Sequence, residues 1–189
     1  MSQVVSRLFD SYADAESAVR ELETAGVRHH DITLVCNDEL SRRRAGRADD
    51  EGDVPGHASR AAAEVGGEVG GVAGLLAGIC VLAIPGIGPV MAAGWIVSAV
   101  AGAVIGVTAG SAAGGLVGAL THHGVHEADA HVYAEGVCRG GTLVSAKVPH
   151  DLVPGVEAIF HRFAGVDAVT RGAEYRASGW TRFEHAPAP

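Results

Sequence analysis

The sequence predicts an α+β fold: a ferredoxin-like split β-α-β sandwich interrupted by a long glycine-zipper helical hairpin. Three observations carry that expectation. Residues 1–36 follow a β-α-β pattern, residues 122–177 follow α-β-α-β, and between them Val69 to His126 contains no Asp, Glu, Lys or Arg.

In the first unit, 1–36, Gln3 to Phe9 alternates as a half-buried strand does, with Val5 and Leu8 apolar and Ser6 and Arg7 polar. Asp10 or Ser11 supplies a cap for the helix that follows, in which Tyr12, Ala15, Val19 and Leu22 recur at helical spacing. Gly26 ends that helix, His29, His30 and Asp31 form a polar turn, and Ile32 to Cys36 reads as the second strand. Residues 37–60 then lose apolar periodicity. They mix Arg42, Arg43, Arg44 and Arg47 with Asp49, Asp50, Glu51 and Asp53, which predicts a mobile charged linker.

The third unit, 61–121, is the expected hairpin. Ala62, Gly66, Gly70, Gly74 and Gly78 fall every fourth residue, and Gly94, Ser98, Gly102, Gly106, Gly110, Gly114 and Gly118 repeat the spacing. Residues four apart share one helix face, so each run predicts a helix with a nearly bare groove, suited to close packing against another helix. The first helix is expected over 58–84 and the second over 89–121. Pro85, Gly86, Gly88 and Pro89 mark the tight reversal between them. Glycine costs about 1 kcal/mol relative to alanine in an exposed helix, so a packing partner must offset the stripe. Two environments satisfy this pattern. One is a bilayer, favoured by the charge-free length, by Trp95 near one end and by the preceding arginines, with both termini on the cytoplasmic side of the inner membrane. The other is a soluble, cytoplasmic homo-oligomer with the hairpins buried in its core. The first helix has only about 16 residues between Glu68 and Pro85, roughly 24 Å, which is short for a 30 Å hydrocarbon core.

In the fourth unit, 122–177, Val125 to Arg139 suits an amphipathic helix ended by Gly140 and Gly141, and Thr142 to Val148 a strand. Val153 to Phe163 suits a helix with Val156, Ile159, Phe160 and Phe163 on one side. Val166 to Thr170 reads as a short last strand, with Glu174 to Arg176 as its extension. Residues 178–189 form a tail, in which Trp180 and Phe183 are expected to dock on the sheet or the hairpin base, with a partner site as the other reading.

Composition narrows the function. A net charge of -8, from 14 Lys and Arg against 22 Asp and Glu, excludes nucleic acid as the expected partner. Cys36, Cys80 and Cys138 are too few and too far apart for a disulfide framework, and none has a placed base, so they read as small buried hydrophobes. The opening MSQVVSRLFD has no basic region followed by an apolar one, so no cleaved signal peptide is expected. The glycine runs lack the GK[ST] of a phosphate loop and follow no strand, so no nucleotide cofactor is expected and no residue is assigned to catalysis. His122, His123, His126 and His131, beside Glu127, are candidate metal ligands, because His122 and His126 would share a face of a continuous helix. Gly124 interrupts that helix, and solvated turn histidines or a pH-responsive group are the other readings.

The stretch VSRLFDSYADAESAVRELETAGVRHHDITLV, together with LAIPGIGPVMAAGW, GGLVGAL, YAEGVCRGGTLVSAKV and GWTRFE, resembles the bacterial general stress protein family with a YflT-type domain. The likeness is to its longer, membrane-annotated or low-temperature-induced members. It implies a stress-associated bacterial protein without assigned catalytic residues. Cys138 stands where that family leads one to expect a basic residue. The combined expectation is a non-enzymatic protein whose hairpin inserts in a membrane or self-associates, with an α/β domain that docks or senses a partner.

Overall fold

The computed structural model describes residues 2–37, 80–84, 88–97 and 115–183. Its strands are β1 (Ser2–Phe9), β2 (Ile32–Asn37), β3 (Cys80–Ile84), β4 (Gly88–Gly94) and β5 (Thr142–Pro149). Its helices are α1 (Tyr12–Thr24), α2 (Leu116–His122), α3 (Glu127–Cys138), α4 (Val153–Arg162) and α5 (Ala168–Ala177). The strands form one sheet in the order β1-β5-β2-β4-β3. Every neighbouring pair is antiparallel.

Side chains alternate across this sheet, and both faces are covered. On the first face Val5, Phe9, Ile32, Leu34, Val144, Ala146 and Ala93 meet α1 through Ala15, Val19 and Leu22, and α4 through Val156, Ile159 and Phe160. Phe9 and Phe160 meet edge to face with ring centroids 5.8 Å apart. On the second face Leu8, Val35, Leu143, Val90 and Ala92 meet Leu116 and Leu120 of α2, Ala130, Tyr133 and Val137 of α3, and Ala168 of α5. Burying each large apolar side chain is worth about 1.5–3 kcal/mol, so the two helical layers hold the sheet from both sides. The mixed α/β content with an antiparallel sheet agrees with the expected class.

Local sequence explains the elements it builds. Ser11 caps α1, its hydroxyl accepting from the Asp14 amide at 3.4 Å, and Asp167 caps α5, its carboxylate accepting from the Thr170 amide at 2.8 Å. That cap lowers the Asp167 carboxyl below its usual range, chiefly through the Thr170 amide.

Two expectations are corrected. The helices expected over 58–84 and 89–121 are not helical where they approach the reversal: Cys80–Ile84 and Gly88–Gly94 are strands, paired Ile84 to Gly88 and Cys80 to Ala92. The chain does reverse between Ile84 and Gly88, as the prolines and glycines predict, but it joins strands. The physical reason is β2, whose edge away from β5 pairs with β4 from Thr33 to Asn37. Val90 and Ala92 face one layer and Ala93 the other, a two-residue period that a sheet buried on both sides accepts. Pro89 lies one position beyond the last residue paired to β2, so its missing amide hydrogen costs no bond on that side. The second correction is at 166–177. Only Val166 bridges β1, exchanging both backbone hydrogen bonds with Leu8 at 2.8 and 2.9 Å. From Ala168 the chain is helix α5, not a strand, because Asp167 caps a helix there.

Candidate functional site

The residues that flank 98–114 meet in one place, and that junction is the first site of interest. β4 ends at Gly94, and residues 95–97 are helical. Thr33, buried near the start of β2, joins the two: its hydroxyl donates to the Ala93 carbonyl at 2.7 Å and accepts from the Ile96 amide at 3.2 Å. Gly94 has φ +89°, and a Cβ there would fall on the Ile32 carbonyl oxygen and 2.7 Å from the Thr33 hydroxyl. No other residue fits that turn without shifting β2. Ile96 then enters the same buried cluster as Leu116 and Leu120 of α2. Ile96 and Leu116, on either side of residues 98–114, therefore share a single core.

Next to the junction the Trp95 ring lies 4.2 Å from the His123 ring, and His122 meets His123 edge to face at 5.3 Å. Burial, with His122 and Lys147 nearby, pushes the His123 imidazole below its ordinary value.

Beneath α3 a row of hydroxyls crosses the second face. Ser6, Ser145 and Thr33 occupy paired positions on β1, β5 and β2. Ser6 and Ser145 share a hydrogen bond of 2.8 Å, and the Tyr133 hydroxyl donates to the Ser6 carbonyl at 2.8 Å. Burial pushes the Tyr133 phenol up to about 12, so it stays a neutral donor at any physiological pH. The hydroxyls of Ser6, Ser145 and Tyr133 are thus joined in one buried chain of hydrogen bonds, while that of Thr33 serves the junction.

A shallow cleft of about 140 Å³ lies where the end of β1 meets α3 and α5, lined by Asp10, Gly136, Arg139, Gly141, Arg171 and Tyr175 among others. The Arg139 guanidinium sits 4.4 Å from the centre of the Tyr175 ring and donates to Glu135 at 2.6 Å. Arg171 donates to both oxygens of Asp10 at 2.9 and 3.0 Å and to Glu174 at 3.1 Å.

The sequence-expected site residues fall as follows. Gly66, Gly70, Gly74, Gly78, Gly102, Gly106, Gly110 and Gly114 lie outside the described residues, as do Pro85 and Gly86. Gly94, expected on a helix groove, is instead the last residue of β4, for the steric reason just given. Gly88 and Pro89 belong to the same strand, and Gly118 lies on α2, half-buried. The histidines separate: His122 ends α2, His123 caps it, His126 precedes α3, and His131 lies on α3. Gly124, at φ +93°, breaks the helix that would have aligned His122 with His126. His131 Nε2 accepts from Arg182 Nε at 3.1 Å and lies 3.7 Å from Glu127. Among the described residues no group of three His, Cys, Asp or Glu side chains is placed to hold a metal ion. Cys80, expected in a helix, is on β3; Cys36 is buried on β2 and Cys138 is half-buried on α3. Burial and the neighbouring Glu135 push the Cys138 thiol up. The tail docks as expected: Trp180 and Phe183 pack against the second-face cluster, and Trp180 meets Tyr175 edge to face at 5.8 Å.

The Thr33 junction and the arginine cleft escaped sequence reasoning. A threonine in a strand carries no mark that its hydroxyl will join two segments sixty residues on, and the arginines of the cleft lie far from Asp10 in the chain. No protein-family model, curated protein or solved structure matches this chain.

Proposed function

We propose that this chain is a non-enzymatic assembly protein in which the glycine-rich segment, rooted in the α/β scaffold, drives self-association. The observation that carries the reading is the common root: Ile96 and Leu116, on either side of residues 98–114, are buried in one cluster. A segment with small residues at Ser98, Gly102, Gly106, Gly110 and Gly114 gains from close packing with another such surface, and a second copy supplies one. In water each uncovered helical glycine costs about 1 kcal/mol, which favours association over exposure. The glycine-zipper reading of this segment rests on that spacing.

The scaffold reading is ferredoxin-like in its first part. β1 and β2, joined through α1, flank β5, and α1 and α4 cover the same face, which supports it. The second-face helices α2, α3 and α5 lie outside that pattern.

The bilayer is the rival environment, and the strands of the charge-free region limit which residues it could take. Two helical crossings of a 30 Å core take about forty residues. β3 with β4 draws 80–84 and 88–94 into the sheet, so any crossing would fall to the residues before β3 and to 98–114. Among the described residues no helix is long and apolar enough to cross a membrane. A stress-associated role rests on the resemblance to the YflT-type family alone.

The test compares the full chain with its Gly106→Leu, Gly110→Leu double variant by light scattering after size exclusion, without detergent. The wild type is expected as an oligomer and the variant as a smaller species, because leucine fills the groove. Equal masses would reject the proposed role of the segment. A wild type that stays with membranes through alkaline washing would favour the bilayer instead.

A further inference from the structure

We propose that the cleft between β1, α3 and α5 is a binding site for a small oxyanion of phosphate size, and that the Asp10 carboxylate occupies it in the free protein. Three observations point there. Arg171 keeps only 14% of its side-chain surface exposed, yet the carboxylate that grips it with both oxygens, Asp10, is 77% exposed. A buried guanidinium held by a solvent-facing, exchangeable carboxylate is chemically poised for replacement of one oxyanion by another. Second, the Arg171 Nε–H is buried and has no acceptor among the described residues, so the guanidinium retains an unused donor there. Third, a second guanidinium, Arg139, is held over the Tyr175 ring at the same cleft, and the ring fixes its plane.

The size and charge of the cleft restrict the ligand. About 140 Å³ is well below the 300–1,000 Å³ of sites that take drug-sized molecules, so a nucleotide does not fit, whereas an inorganic phosphate or a compact phosphate ester does. Charge restricts it further. Glu135 and Glu174 already pair with Arg139 and Arg171, and Asp10 adds a third carboxylate against two guanidiniums. An oxyanion therefore binds by displacing Asp10, not by joining it. Asp10 lies between the end of β1 and Ser11, the cap of α1, so its displacement reaches the loop that joins the first strand to the first helix.

This mechanism predicts an unusual sign: removing an acid that ligates the site's own arginine strengthens binding. Inorganic phosphate is titrated into the ¹⁵N-labelled full chain, and the Arg171 Nε–H resonance is followed. Asp10→Asn is expected to tighten binding by about tenfold or more over wild type, about 1.4 kcal/mol, and Arg139→Gln to weaken the Asp10→Asn complex by a similar factor. Titration with acetate in place of phosphate separates carboxylate from phosphate recognition, and a preference for phosphate is expected. Asp10 is mostly exposed, so its replacement leaves the fold intact, which the unchanged amide spectrum of β5 checks. If Asp10→Asn binds phosphate no more tightly than wild type, or Arg139→Gln makes no difference, the Asp10–Arg171 pair is only a tie between the β1–α1 loop and α5, and the proposal is overturned.

Discussion

At the scale of single residues, the junction around Gly94 and Thr33 decides whether the glycine-rich segment can be part of the sheet at all. The turn from strand to helix needs a positive φ, and it needs an empty space against β2 where any other residue has a Cβ. Gly94→Ala therefore combines backbone strain with a clash against strand backbone that cannot move aside. It should lower unfolding stability by roughly 3 kcal/mol or more, measured by urea denaturation. A glycine on a solvated helix, as the fourfold spacing alone suggests, would gain stability on the same change. Gly94 thus shows how far residue-level reading goes. Its spacing from Ser98 was visible in the sequence, but its conformation depends on Ile32 and Thr33, which only the folded sheet brings beside it.

Elements were legible where local signals and tertiary demands agree. β1, α1, β2, α3, β5 and α4 appear within a residue or two of their expected limits. In each, apolar periodicity, a cap or a terminating glycine point the same way. β3, β4 and α5 were misread where they conflict. Cys80–Ile84 and Gly88–Gly94 contain small and β-branched residues that fit either period, and the need of β2 for a neighbour decided between them. At α5, Val166 fulfils the strand expectation for one bridge before the Asp167 cap turns the chain into a helix. At the histidines Gly124 ends one helix before another starts, the interruption that the glycine leads one to expect.

The contact of His123 with Trp95 ties the end of α2 to the residue that follows β4, and it carries a pH signature. Burial holds the folded imidazole below its ordinary value, so the unfolded chain takes up that proton first as pH falls. This contribution is complete above about 6.5 and is lost as pH drops toward the folded value. His123→Gln should make the urea midpoint less dependent on pH between 7.5 and 5 than it is in the wild type. An identical slope in both proteins would show that this contact does not respond to protonation.

At the scale of the whole molecule, the sheet is covered on both faces, and its order places β4 and β3 at one side of a scaffold whose other strands come from the two ends of the described chain. This changes the role of the charge-free region. It is not solely an appendage between two halves of a domain: part of it completes their sheet, and Val90, Ala92 and Ile96 are as buried as the scaffold's own core. The flanks of residues 98–114, Ile96 and Leu116, belong to that same core.

Amide hydrogen exchange on the full chain, read residue by residue, tests this incorporation most directly. Where β4 hydrogen-bonds to β2, the amides of Val90–Gly94 should exchange as slowly as those of Leu34 and Val144, in one cooperative class lost only on global unfolding. Exchange of these amides at the rate of an open chain, while β2 and β5 stay protected, would contradict the account and return the charge-free region to an independent appendage.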